Sequence, residues 1–260
     1  AFNVPAPDGQ NGWYVSDVTV SVDGTDATSG VAFRRVRVNG GTWQNSPFTL
    51  TTDGTFTLEG QTEDNAGNTS QIIQITLQRD ATPPTADLDI SGTAGHNGWY
   101  VSPVVVSPTA SDAASGVATA EVNAGSGWQD SATLGDGVHT VQVLVTDQAG
   151  NVTAFTQTIR VDTTPPSLTP QIPDPDGLES WHVSAVEVGA TSSDLTSGVA
   201  LVRVQVNGGA WQSLPITFDQ DGVYTLTFEA VDAAGNVNRQ TRTVYVDVSA
   251  PSLTPQIPPS

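Results

Sequence analysis

The sequence predicts an all-β fold, three small β-sandwiches in tandem, and three observations carry that expectation. A five-residue motif, Asp-x-Ala-Gly-Asn, occurs at residues 64–68, 147–151 and 232–236, its aspartates 83 and 85 residues apart. Between the copies, short runs alternate apolar and polar residues and are interrupted about every 8–12 residues by turn formers, which is the period and spacing of short strands. No segment carries an apolar stripe of helical period with caps, so no helix is predicted. A repeat this long exceeds a solenoid unit and matches one small all-β domain. The 260 residues therefore divide into domains over 1–80, 81–162 and 163–247, with residues 248–260 a linker plus the opening strand of a following or neighbouring domain.

Taken in order, each landmark keeps the same beat. The chain opens with Pro7-Asp8-Gly9, in register with Pro175-Asp176-Gly177, so the first repeat starts partway through the segment that opens the third. Asn11-Gly12-Trp13-Tyr14-Val15-Ser16 returns at residues 97–102 and, loosened, as Glu179-Ser180-Trp181-His182. Asp26 begins an Asp-x-x-Ser-Gly-Val stretch that returns at Asp112 and Asp194. Trp-Gln recurs at Trp43, Trp128 and Trp211, and Asp-Gly at Asp53, Asp136 and Asp221. Each repeat closes on an aspartate just before proline, at Asp80, Asp162 and Asp247. In the third repeat the alternation places strands after the proline pair, over 181–188, over 202–207 ahead of an Asn207-Gly208 hairpin turn, through to about Thr217, and over 223–231 and 237–246.

About seven short strands per repeat is the pattern of an immunoglobulin-like sandwich. The motifs just quoted, from Asn-Gly-Trp-Tyr to the closing Asp-Thr-Thr-Pro-Pro, resemble those of the bacterial immunoglobulin-like repeats of surface adhesins and stalk proteins across nearly the whole chain. The resemblance implies three tandem immunoglobulin-like β-sandwiches in an extended array, and it implies calcium near domain junctions.

Composition narrows the function classes. Twenty-seven acids against eight bases leave a net charge of −19, which repels phosphate backbones and sets nucleic acid aside as a partner. All eight bases are arginine, so lysine–asparagine isopeptide cross-links within the domains are excluded, and the absence of cysteine excludes disulfides and thiolate chemistry. No apolar run approaches the length of a membrane-spanning helix. No phosphate loop, nucleophile elbow or zinc spacing occurs, and the carboxylate pairs recur threefold, so the chain is read as non-catalytic.

Twenty-one of the acids are aspartates, twelve of them at repeat-locked turns. In an immunoglobulin-like topology the B-to-C and F-to-G loops lie at the pole where the chain enters. Asp112 belongs to the first loop, Asp147 and Asn151 to the second, and the linker brings Asp80 to the same pole. Asp162, Asp194, Asp232 and Asn236 repeat the set one domain later. Carboxylate and amide oxygens of this kind suit a hard cation, and Ca2+ at the junctions is the cofactor this set implies. The alternative is that Asp, Gly and Asn here only make well-capped turns. Titration with calcium separates the two.

The six tryptophans fall at two positions per repeat and are read as packing residues; the three histidines fall at unrelated positions and form no metal or catalytic grouping. The functional expectation is an extracellular, cell-surface structural array, a rod or filament segment whose partners are neighbouring immunoglobulin-like domains or copies of itself. Residues 251–258 copy 166–173, so either a spare strand joins copies head to tail or the region belongs to a longer array. The alternative function is an adhesion module that grips a glycan or protein ligand through its loops.

Overall fold

The computed structural model describes residues 1–254. They contain strands and turns but no helix, and no helix among them is long and apolar enough to cross a membrane. Two compact units partition the described residues: one comprises Ala1–Ile90, Val106–Ala132 and Thr140–Thr158, the other Ser91–Val105, Thr133–His139 and the described residues from Ile159.

In the first unit, the first repeat forms two facing sheets. One orders Phe2–Asn3, Val18–Val22 and Phe48–Leu50; the other orders Gln44–Asn45, Val31–Val38, Gly54–Asp64 and Ile73–Arg79. Val18, Val20 and Val22 alternate with Thr19 and Ser21, so one face of that strand is buried. They meet Val36, Leu58 and Leu77 from the other sheet, with Tyr14 and Leu50 closing the core. The same unit holds Val117–Asn123 of the second repeat, paired antiparallel with the latter half of Gly137–Asp147.

In the second unit, the third repeat rebuilds the pattern. Ser167–Gln171, Val186–Ser193 and Ile216–Phe218 form one sheet, and Trp181–His182, Val237–Val246, Gly222–Asp232, Val199–Val206 and Trp211–Gln212 the other. Its core centres on Val188, Val204, Leu226, Phe228 and Val246, all fully buried. Ten residues of Gly222–Asp232 pair without a slip against Val237–Val246, which fixes the turn between them.

The strand predicted over 181–188 is two strands. Trp181 and His182 pair in parallel with Tyr245 and Val246 on one sheet, and after a break the chain crosses to the opposite sheet as Val186–Ser193. Trp99 and Tyr100 pair in the same way with Arg160 and Val161. Continuous alternation hides such a switch, because both halves bury the same kind of side chain. Of the copied opening segment at residues 251–258, residues 251–254 belong to no strand and the remainder lie outside the described residues.

Candidate functional site

The sites grow from three kinds of turn. Asp112 follows the strand Val104–Ser111, and its Oδ1 accepts the backbone N–H groups of Ala114, Ser115 and Gly116 at 3.2, 2.9 and 2.7 Å. This is an Asx turn, which glycine completes because Gly116 has φ of +81°. Asp147 ends its strand and its Oδ1 accepts the N–H groups of Gly150 and Asn151 at 2.7 and 2.8 Å, while Asn151 Nδ2 donates to Oδ2 at 2.8 Å. Asp80 follows Ile73–Arg79; its N–H donates to the Tyr14 carbonyl at 2.8 Å, its Oδ1 accepts from Thr82 N–H and its Oδ2 from Ser115 N–H.

These turns converge. Carboxylate oxygens of Asp80, Asp112 and Asp147 all lie within 4.8 Å of one another, with Asp80 and Asp147 buried and Asp112 half-buried. Asn151 ties the set together from behind, since its Nδ2 also donates to the Asp80 carbonyl at 2.9 Å. Among the described residues, no ion pair reaches any of the three. Arg79, beside Asp80 in sequence, is turned to Asp17 and Asp53. Three negative charges are thus gathered in a poorly screened place without an arginine. Asp112 Oδ2 accepts no hydrogen bond from the described residues, and Asp112 lines a cleft of about 530 Å³ together with Asp53, Thr82 and Pro83.

The second unit repeats this geometry residue for residue. Asp162, Asp194 and Asp232 form the second trio within 4.8 Å, again with the first and last buried. Asp194 Oδ1 accepts three turn N–H groups, Asp232 Oδ1 accepts those of Gly235 and Asn236, and Asn236 Nδ2 bridges Asp232 Oδ2 and the Asp162 carbonyl, both at 2.8 Å. Six carboxylates singled out from sequence are therefore assembled as two trios. The two asparagines use their amide N–H groups to position those carboxylates. In the first repeat, Asp26 accepts the N–H groups of Ser29, Gly30 and Thr28, and Asp64 accepts the Asn68 side chain together with the N–H groups of Asn68 and Ala66; these bonds hold both carboxyls below the usual range, but no third carboxylate joins them among the described residues.

Two further contacts were not foreseen. The Asn-Gly-Trp loop of one repeat docks on the Asp-x-Ala-Gly-Asn turn of the next. In the first unit Gln10 N–H donates to the Ala149 carbonyl at 2.7 Å and Asn11 Nδ2 to the Gln148 carbonyl at 2.9 Å; in the second, His96 and Asn97 do the same to Ala234 and Ala233 at 2.7 and 2.9 Å. The approach is close: a Cβ on Gly9 would stand 2.7 Å from the Ala149 carbonyl oxygen, and one on Gly95 2.4 Å from that of Ala234. The Asp-Gly turn fastens the linker. Asp136 accepts Thr163 N–H, Thr163 Oγ1 and Thr164 Oγ1 at 2.7, 2.8 and 2.6 Å. Burial works to raise the Asp136 carboxyl, but the Thr164 hydroxyl and the Thr163 N–H and hydroxyl outweigh it and hold it below the ordinary value of 3.8. Co-occurrence of these motifs in every repeat was the available signal for both contacts.

The tryptophans divide. Trp13 and Trp99 are buried as expected, Trp43, Trp181 and Trp211 are half-buried, and Trp128 is 42% exposed.

Two family profiles, both described as bacterial Ig-like domain, match the chain, one over residues 9–81 and 183–248 and the other over 91–163. A curated relative, chitinase A1 of Niallia circulans, is 31% identical over 132 residues, 46% of this chain; the match spans only 18% of that chitinase. Among solved structures, a tetra-tandem repeat in the extending region of a large adhesion protein is 17% identical over 95% of this chain and 74% of its own, at a TM-score of 0.36. A Ca2+-stabilised adhesin with which an Antarctic bacterium reaches out and binds ice is 18% identical over 97% and 75%, at 0.31.

Proposed function

Given that the chain belongs to the bacterial Ig-like domains, we propose that it is an extracellular structural array of three such domains whose joints are held by Ca2+. The observation that carries this reading is the pair of matching trios. Each combines an aspartate that closes one repeat with two loop aspartates of the next, and among the described residues no protein cation pairs with either trio. A cation with a shell of six to eight oxygens draws on all three carboxylates, with water filling the remainder. The residues fit such an ion: turn N–H groups fix one oxygen of each loop aspartate, and Asp112 and Asp194 each retain an oxygen free of hydrogen bonds from the described residues.

The role of such an array is reach at the cell surface. Its partners are further Ig-like domains, in the same protein or in another copy. Asp26, Asp64 and Asn68 carry one part of a joint, and Asp247, whose N–H donates to His182 as Asp80 does to Tyr14, carries the other. A second reading, favoured by the chitinase match, makes the array a spacer within a secreted polysaccharide-degrading enzyme, separating modules supplied by other segments. Isothermal titration of the whole chain with Ca2+ tests the joint. Two binding events and a rise in melting temperature that a chelator reverses are expected; absence of heat together with indifference to chelator refutes the calcium joint under either reading.

A further inference from the structure

The three repeats present the same tryptophan in different surroundings, and the difference is on the page. In the third repeat the Arg203 guanidinium lies 4.5 Å from the Trp211 ring centroid and Arg239 6.0 Å, and both arginines are ion-paired to Glu229, which is buried beneath them. In the first repeat Arg37 lies 4.6 Å from the Trp43 ring and pairs with Glu59. Each of these rings is covered by a cation anchored by a buried or half-buried acid.

The second repeat lacks every part of that cap. Where the third repeat pairs Arg203 with Glu229 across two strands, the second pairs Glu121 with Leu144. The bridge between Val122 and Gln129 puts Trp128 opposite Asn123, which in turn pairs with Gln142. The loop that carries the ring is rebuilt as well. Asn123 Oδ1 accepts the N–H groups of Gly125 and Gly127 at 2.8 and 3.2 Å, and those glycines have φ of +104° and +94°, which other residues rarely adopt. A loop this specifically shaped holds an aromatic ring that the other repeats cover and this one leaves open.

We propose that Trp128 is a stacking platform for an uncharged pyranose of a glycan, with Asn123, Gln142 and Glu121 as hydrogen-bonding neighbours. The chemistry selects this occupant. An exposed indole offers a flat apolar face; carboxamides and a carboxylate beside it supply acceptors and donors for hydroxyl groups. The strand positions beside the ring are Glu121, Asn123, Gln142 and Leu144, none of them cationic, and the chain carries −19, so phosphorylated, sulfated and uronic ligands are repelled. A protein hot spot would need an apolar pocket around the ring, and the strand positions that the register sets beside it, Glu121, Asn123 and Gln142, are polar, with the half-buried Leu144 as the apolar exception. The inference is independent of calcium at the joints.

Affinity electrophoresis of the whole chain through native gels containing hydroxyethyl cellulose, xylan or glycol chitin, with dextran sulfate as the anionic control, tests it. The chain is expected to be retarded by at least one neutral polysaccharide and not by dextran sulfate. Trp128→Ala should abolish at least nine-tenths of the retardation, while Trp43→Ala leaves it intact. The pair E121R with L144E copies the cap of the third repeat and should close the platform with the tryptophan still present; mobility is referred to a gel without polysaccharide, and thermal melting confirms that each variant is folded. No retardation on any neutral polymer, equal retardation on dextran sulfate, or unchanged retardation of either Trp128→Ala or the capped variant overturns the proposal.

Discussion

Neutralising Asp112 should act in opposite directions with and without calcium. Asn at this position keeps the turn, because the oxygen that accepts the N–H groups of Ala114, Ser115 and Gly116 is retained. What is lost is one charge of three. Two unit charges 4.8 Å apart repel by about 3.5 kcal/mol at an effective dielectric of about 20. Water at the half-buried Asp112 and the turn N–H dipoles reduce this, so Asp112→Asn should stabilise the calcium-free chain by about 1–2 kcal/mol. For domains of this size that is a rise in melting temperature of roughly 4–8 °C per kcal/mol. With calcium the sign reverses. An ion present at about 100 times its dissociation constant stabilises by about 2.7 kcal/mol; at about 1.4 kcal/mol per tenfold, an affinity loss of about thirtyfold or more on removing a charged ligand outweighs the gain in the calcium-free chain. The assay is thermal unfolding of wild type and variant, each in chelator and in excess CaCl2. The variant should melt above wild type in chelator and below it in calcium. A shift of the same sign in both conditions, or a wild type indifferent to calcium, refutes the argument from trapped charge.

Three other outcomes follow from the same contacts. Asn236→Ala strips hydrogen bonds from the buried Asp232 carboxylate and the Asp162 carbonyl, and should cost about 1–3 kcal/mol in denaturant unfolding. Gly95→Ala forces a Cβ to 2.4 Å from the Ala234 carbonyl and 2.6 Å from Val101, whereas Gly98→Ala meets nothing within 4 Å and bears only the strain of its φ of +76°; unfolding should show Gly98→Ala costing about 1–2 kcal/mol and Gly95→Ala more. Asp136 is held below its ordinary pKa of 3.8 by the folded linker, so its contribution is complete above that value and is lost as pH falls through the lower folded value. Asp136→Asn should therefore lower the melting temperature at pH 7, and its deficit against wild type should shrink as pH is lowered below about 4.

The repeat length, the all-β class and the convergence of six aspartates were legible because they rest on periodicity and on topology, both of which leave marks in a linear sequence. The strand switch at Ser184 was not, since Trp181, His182 and Val186 bury similar surfaces on opposite sheets. The shared packing role expected of the tryptophans failed for a related reason. Position alone equates Trp128 with Trp43 and Trp211, and only the strand register shows that the arginine and glutamate beside Trp211 are replaced by Glu121 and Leu144 in the second repeat, and those beside Trp43 by Asn123 and Gln142.

The choice between a mere turn and a cation site also changes once the hydrogen bonds are known. The N–H groups that cap each turn grip Oδ1 of Asp112 and Asp147, and Asn151 holds Oδ2 of Asp147. Capping therefore fixes where each carboxylate stands, so a well-made turn is the means by which three like charges are brought within 4.8 Å. Composition of the motif cannot tell a joined copy from an unjoined one: Ala66 is exposed, while Ala149 and Ala234 are fully buried with their carbonyls accepting from Gln10 and His96. The alanine that follows as little more than a small residue in one repeat becomes, in the next, the floor on which a neighbouring loop sits within 3 Å. The physical unit that the sequence repeats is thus the joint as much as the sandwich, because in the two joined copies the same five residues close a turn, place one carboxylate of the trio and seat the preceding repeat.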